Sequence, residues 1–143
     1  MQPSIYISNI ILSNFRSHEK FTINSNSKNI VLFGKNGVGK TNILESISLL
    51  SPGRGLRNAK NEEIINKNTN TDYGLSANLQ FDNNSIKIKK TYLRDETKKS
   101  NLFIDDEKSK TADLLNFLRV IWVTPVMETV SYTHLRAHET HEH

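Results

Sequence analysis

Apolar residues along this chain recur with two different periods, broken by a few short unbroken runs. Ile5, Ile7, Ile10 and Leu12 alternate in part with polar residues and predict a strand over Ser4–Leu12. Asn14-Phe15-Arg16-Ser17 reads as a turn, and Phe21 and Ile23 on one face of His18–Ser25 predict a second strand, antiparallel to the first. After a further turn over Asn24–Lys28, the run Asn29–Phe33 is apolar without alternation, as in a buried strand. The period then changes. Ile43, Leu44, Ile47 and Leu50 fall on one face of a helix, which Pro52 and Gly53 end. Asn58–Thr71 is polar apart from Ile64-Ile65 and predicts a short helix or a loop. Leu75, Ala77, Leu79 and Phe81 restore the period of two, as do Ile86 and Ile88 between Lys87 and Lys89. Asp82-Asn83-Asn84 between these stretches predicts a hairpin. Leu102-Phe103-Ile104 followed by Asp105-Asp106 predicts another strand and turn. Ala112, Leu114, Leu115 and Leu118 mark a short helix, and Val120–Val123 a last strand before Pro125. There is no internal repeat. The expected class is α/β, a mixed sheet plus an antiparallel sheet around one helix, and not a simple βαβ array.

The junction between the apolar run and that helix carries the candidate chemistry. Gly34-Lys35-Asn36-Gly37-Val38-Gly39-Lys40-Thr41 spells G-x-x-x-x-G-K-T, the phosphate-binding loop of nucleoside triphosphatases. Multiply charged phosphates need many donors close together. Glycines 34, 37 and 39 permit a backbone turn whose successive N–H groups converge on one anion. Lys40 adds a point charge toward the β- and γ-phosphates, and the Thr41 hydroxyl suits Mg²⁺. The following helix lends its positive end. A chance Gly-rich turn ending in Lys-Thr would lack the preceding apolar run and the following helical period; both are present here.

Bulk properties narrow the setting. At 143 residues the chain is one domain or part of one, and with 36% hydrophobic residues its core is modest. No apolar run is long enough to span a membrane, and the first residues lack a signal-peptide pattern. The absence of cysteine excludes disulfides, thiolate metal sites and a thiol nucleophile. A cytoplasmic protein is expected. The net charge of +4 is compatible with a polyanionic partner without demonstrating one.

The C-terminal residues break the compositional pattern. The body is rich in Asn, Ile and Lys, whereas Val130–His143 holds four of the five histidines, His134, His138, His141 and His143. Their spacing imitates a metal tract. The stretch resembles instead one reading frame of a transposon-end sequencing adapter, and is set aside as a tag would be. The expected organisation is thus a lobe over residues 1–129, truncated, and a non-native tail over 130–143. Without the tail the charge rises to +5.

Leu12-Ser13-Asn14-Phe15-Arg16, some twenty residues before the loop, and Asn42-Ile43-Leu44-Glu45-Ser46-Ile47 after it resemble the ABC-type ATPase heads of the SMC-like group. The run Ser51-Pro52-Gly53-Arg54-Gly55-Leu56-Arg57, with Thr124-Pro125-Val126-Met127-Glu128, narrows the resemblance to the RecF family within that group. It covers Ser4–Glu128. It implies a P-loop NTPase fold, the lobe of an ABC-type ATPase head, using ATP and Mg²⁺. It further implies an ATP-dependent homodimer that binds single-stranded and gapped duplex DNA. Such a protein acts in recombinational gap repair, replication and the SOS response, with RecR and RecO as partners and RecA loading as the outcome. Gly34–Thr41 carry over as the nucleotide loop. Arg57 falls where related heads place an arginine near the nucleotide, and Arg16 is expected to approach it from the first hairpin. The glutamine that many ABC heads present near the second lobe has no counterpart in Ile121-Trp122-Val123-Thr124. No acidic strand for Mg²⁺ and no serine-glycine signature follow the loop, so no catalytic residue is assigned and ATP hydrolysis is expected only of a full-length parent. Three rivals stand beside this reading: another SMC-like or ABC-type head, a P-loop small-molecule kinase, and an ATP-gated DNA clamp whose output is binding. A kinase would need an arginine-rich lid, and the β-rich stretch Asp72–Asp105 argues against it.

Overall fold

The structure, a computed structural model, describes residues 4–96 and 99–125. The stretch 130–143, with its four histidines, and the run Val126–Glu128 lie outside them. Six strands form one sheet in the order β2-β1-β3-β4-β5-β6, with every neighbouring pair antiparallel. These are β1 (Ile5–Phe15), β2 (His18–Asn24), β3 (Asp72–Phe81), β4 (Asn84–Leu93), β5 (Asn101–Ile104) and β6 (Glu107–Ser109). Among the described residues, helix α1 (Lys40–Ser48), the single turn α2 (Asn61–Ile64) and a 3-10 helix (Thr111–Asn116) accompany the sheet.

The alternation seen in the sequence decides which face of the sheet is buried. On β3, Tyr73, Leu75, Ala77 and Leu79 all point inward, opposite Tyr92, Lys90, Ile88 and Ile86 of β4. Ile10, Leu12 and Phe15 of β1 extend this face, and Ile43, Leu49 and Leu50 meet it from α1 and just beyond. Three rings run across the sheet. Phe15 stands edge-on to Tyr73 at 5.7 Å between centroids, and Tyr73 stacks on Tyr92 at 5.8 Å. The predicted hairpins form. Asp105 and Asp106 both take positive φ, 49° and 66°, matching the handedness a two-residue turn between twisted strands requires.

Two expected strands are not strands. Asn29–Phe33 and Val120–Val123 have no ladder partner among the described residues, and each leaves large apolar side chains in solvent: Phe33 is 91% exposed and Ile121 90%. An apolar run fixes the need for burial, but a strand also needs a neighbour to accept its hydrogen bonds. Leu32 alone of the first run packs toward the core. Residues 120–125 lie along the outer side of α1 instead, where Trp122, Leu44, Ile47 and Leu56 line a cavity of about 410 Å³. The short helix expected over Ala112–Leu118 is 3-10 in geometry, with Leu114 buried and Leu115 exposed.

Candidate functional site

Gly34–Thr41 runs out of the Asn29–Phe33 segment as an exposed loop and enters α1 at Lys40. Gly37 and Gly39 have φ of +89° and +94°, and Gly39 is the residue before the helix, with no side chain capping it. A Cβ on Gly39 would lie 2.5 Å from His18 Nε2 and 2.8 Å from Ser17 Oγ, so only glycine lets the β1–β2 turn close onto the loop. The Lys40 ammonium folds back over the loop and donates to the carbonyls of Gly34 and Lys35. Lys35, Asn36 and Val38 are exposed on its rim, and Thr41 stands exposed in the first turn of α1.

Arg16 and Arg57, fifteen residues or more from the loop in sequence, meet beneath it on one carboxylate. Arg16 Nε and Nη2 donate to the two oxygens of Glu45 at 2.8 and 2.9 Å, and Arg57 Nη1 donates to Glu45 Oε1 at 3.0 Å. Arg57 Nη1 also donates to Asn42 Oδ1 at 2.7 Å, and Asn42 Nδ2 reaches Ser17 Oγ at 2.8 Å. The Glu45 side chain is fully buried, while those of Arg16 and Arg57 are 23% and 34% exposed.

Local backbone delivers each arginine. Arg16 occupies the β1–β2 turn at φ +52°, held by its N–H to Ile64 O at 2.7 Å and by Asn66 Nδ2 on its carbonyl at 2.7 Å. That conformation costs a non-glycine residue on the order of 1–2 kcal/mol and persists because neighbours fix it. Arg57 arrives through the connector after α1. Ser48 Oγ donates to Glu45 O and accepts from Leu56 N–H, folding the connector back along the helix. A cavity of about 550 Å³ beside the loop is lined by Arg16, Ser17, Asn42, Arg57 and Asn66 among others. Gly34–Thr41 and both expected arginines therefore share one region. Glu45, Asn42, Ser48 and His18 belong to it as well, and sequence reasoning did not single them out. Glu45 stands in the run Asn42–Ile47 that carries the resemblance, but its partners are 29 and 12 residues away, so no local pattern announces what it holds.

A second concavity, of about 640 Å³, opens between α2, the end of α1 and β4. Arg54, Lys60, Lys90 and Lys99 line it, with Glu62 as the acidic member. Lys90 points inward from β4 and is only 5% exposed, and burial holds its ammonium below the ordinary lysine range. Glu62, which accepts from the Tyr92 hydroxyl at 3.0 Å, is lowered chiefly by hydrogen bonding. Among the described residues no cluster of three or more His, Asp or Glu is placed to hold a metal, and no helix is long and apolar enough to cross a membrane.

Known proteins share this sequence and fold. The DNA replication and repair protein RecF of Rhizobium rhizogenes is 35% identical over 130 residues, covering 90% of this chain and 35% of that protein. Its namesake in Rickettsia akari is 32% identical over 127 residues, again covering 35% of its own length. The chain thus spans about a third of the curated relatives it matches. The solved structure of the recombination mediator protein RecF-ATP in the RecFOR pathway superposes with a TM-score of 0.76 at 25% identity, over 87% of this chain and 34% of that one. A structure from work on ATP-driven dimerisation and DNA-stimulated activation of SMC ATPases superposes at 0.63 with 17% identity, a likeness of fold, over 87% of this chain and 96% of that one. The expected α/β head fold is therefore the one observed, with the antiparallel sheet in place and, among the described residues, no mixed sheet beside it because the runs 29–33 and 120–123 do not pair. The model of the RecF/RecN/SMC N terminal domain matches residues 6–126, and with most of its length inside that match the chain belongs to this family.

Proposed function

We propose that this chain is the nucleotide-binding lobe of a RecF-like ATPase that binds DNA in recombinational gap repair. The observation that carries the reading is the loop Gly34–Thr41 opening α1, with Lys40 held across it and two arginines gathered at its side. The donor set fits ATP. Exposed backbone N–H groups of the loop and the Lys40 ammonium would hold the phosphates, the Thr41 hydroxyl would supply a ligand for Mg²⁺, and the cavity along Arg16, Asn42 and Arg57 would take part of the nucleotide. An ATP-dependent homodimer would close across the nucleotide so held, and that is the part of the reading taken from the SMC-like fold. The cleft of Arg54, Lys60, Lys90 and Lys99 supports a polyanionic partner, read here as single-stranded or gapped DNA. RecR and RecO as partners, and loading of RecA, follow from the same reading. A generic SMC-like head shares the fold, but sequence identity to the RecF relatives favours the RecF reading.

The test is ATP binding and ATP-dependent retention on gapped DNA by the full-length protein that carries this chain, with and without Lys40→Ala. Losing a charge-assisted contact to phosphate should weaken ATP about tenfold or more and abolish the ATP-dependent part of DNA retention. Unchanged ATP affinity in the variant would sink the assignment of the loop.

A further inference from the structure

Glu45 stands in an unusual balance of charge. One fully buried carboxylate is held by two guanidinium groups, and the two are held unequally. Arg16 engages both oxygens, its backbone is clamped at N–H and C=O, and its side chain is the less exposed of the pair. Arg57 makes a single bond to the oxygen that Arg16 Nε already occupies, shares the same Nη1 with Asn42, and lies on the exposed connector. Removing a buried carboxylate's last partner is costly, because an unpaired charge is left behind. Here Arg57 can leave without that cost: Arg16 still satisfies both oxygens of Glu45. The anchor that Arg57 would leave last, Asn42, directly follows Thr41. A guanidinium that close to the loop has a choice of two acceptors of similar geometry, the Glu45 carboxylate or a phosphate.

We propose that Glu45 is a positioning residue that docks Arg57 beside the loop and yields it to the phosphates of a nucleoside triphosphate, with Arg16 keeping the carboxylate neutralised as Arg57 departs. The proposal rests on the nucleotide reading of the loop. Docking lowers apparent nucleotide affinity, since only the undocked fraction of Arg57 is competent to bind.

The experiment measures the affinity of the full-length protein that carries this chain for a fluorescent ATP analogue, with thermal midpoint recorded for every variant. Glu45→Gln keeps an acceptor for Arg16 but loses the charge that draws Arg57; an ion pair of partial exposure is worth enough that its loss should tighten binding about two- to fivefold. The same substitution made on top of Arg57→Ala should change affinity hardly at all, because the residue it acts through is gone. Asn42→Ala, which removes the other anchor and leaves the buried pair intact, should tighten binding in the same direction and likewise only when Arg57 is present; it carries the test if Glu45→Gln does not fold. Equal effects with and without Arg57 would overturn the docking role while leaving the nucleotide reading intact. Arg57→Ala that does not weaken binding at all would overturn the role of Arg57 itself, and loss of binding in both Glu45→Gln and Asn42→Ala at an unchanged thermal midpoint would overturn the docking role.

Discussion

Lys90 is an inward-facing lysine on a strand whose other inward residues, Ile88 and Tyr92, are apolar. Its cost has a definite sign. Burial disfavours the ammonium, so the folded chain releases this proton at lower pH than the unfolded chain does. Below the folded pKa both states are charged and the penalty is complete. Between it and the ordinary lysine value the unfolded chain holds more protons, so stability rises with pH, and above both values the penalty is gone. Lys90→Met should therefore stabilise the chain at pH 7 by about 1 kcal/mol, roughly 4 °C in thermal midpoint. The gain should shrink as pH approaches about 10.5. Melting curves at pH 7 and pH 10 check this, and a gain independent of pH would assign the effect to packing alone.

At the scale of elements, the loop depends on the turn it touches. Gly39→Ala combines a left-handed conformation with a Cβ inside the His18 ring contact. It should cost about 1–2 kcal/mol from backbone alone and push the β1–β2 turn off the loop. Adding His18→Ala should recover part of the loss in midpoint, the part due to the ring, and not the backbone part; full recovery would show that the conformation at Gly39 is unstrained. The elements themselves were largely legible. Alternation announced β1 to β4 and their hairpins, and the change of period announced α1. The runs 29–33 and 120–123 were misread because apolar content reports demand for burial, and pairing depends on neighbours that local sequence does not name. The site divides the same way. Gly34–Thr41 is contiguous and readable as a motif. The Arg16–Glu45–Arg57 cluster is assembled by the turn at Arg16 and by the Ser48 contact that folds the connector back, so its chemistry appears only once distant residues meet.

Over the whole molecule the apolar surface is uneven. Val31, Phe33, Ile121 and Val123 are all at least 75% exposed, whereas the sheet's inner face is closed. Exposed side chains contribute little to folding, so Val31→Ser with Phe33→Ser should leave the thermal midpoint within about 0.5 kcal/mol of the original. The same pair should lower concentration-dependent light scattering, since open apolar surface drives association. Scattering unaffected by the substitutions would mean these side chains are not what brings copies together. The sheet order has a bearing on how the chain is made. β1 lies between β2, which follows it immediately, and β3, whose last paired residue is Phe81. At about 5–20 residues per second, roughly 2–8 s of synthesis separate Thr41 from Phe81. During that interval the first hairpin has emerged with one edge bare, and the turn that braces the loop still lacks the bridge from Phe15 to Ile65 and the strand beyond it. Gly34–Thr41 thus leaves the ribosome seconds before the bridge and the strand that fix the turn against it.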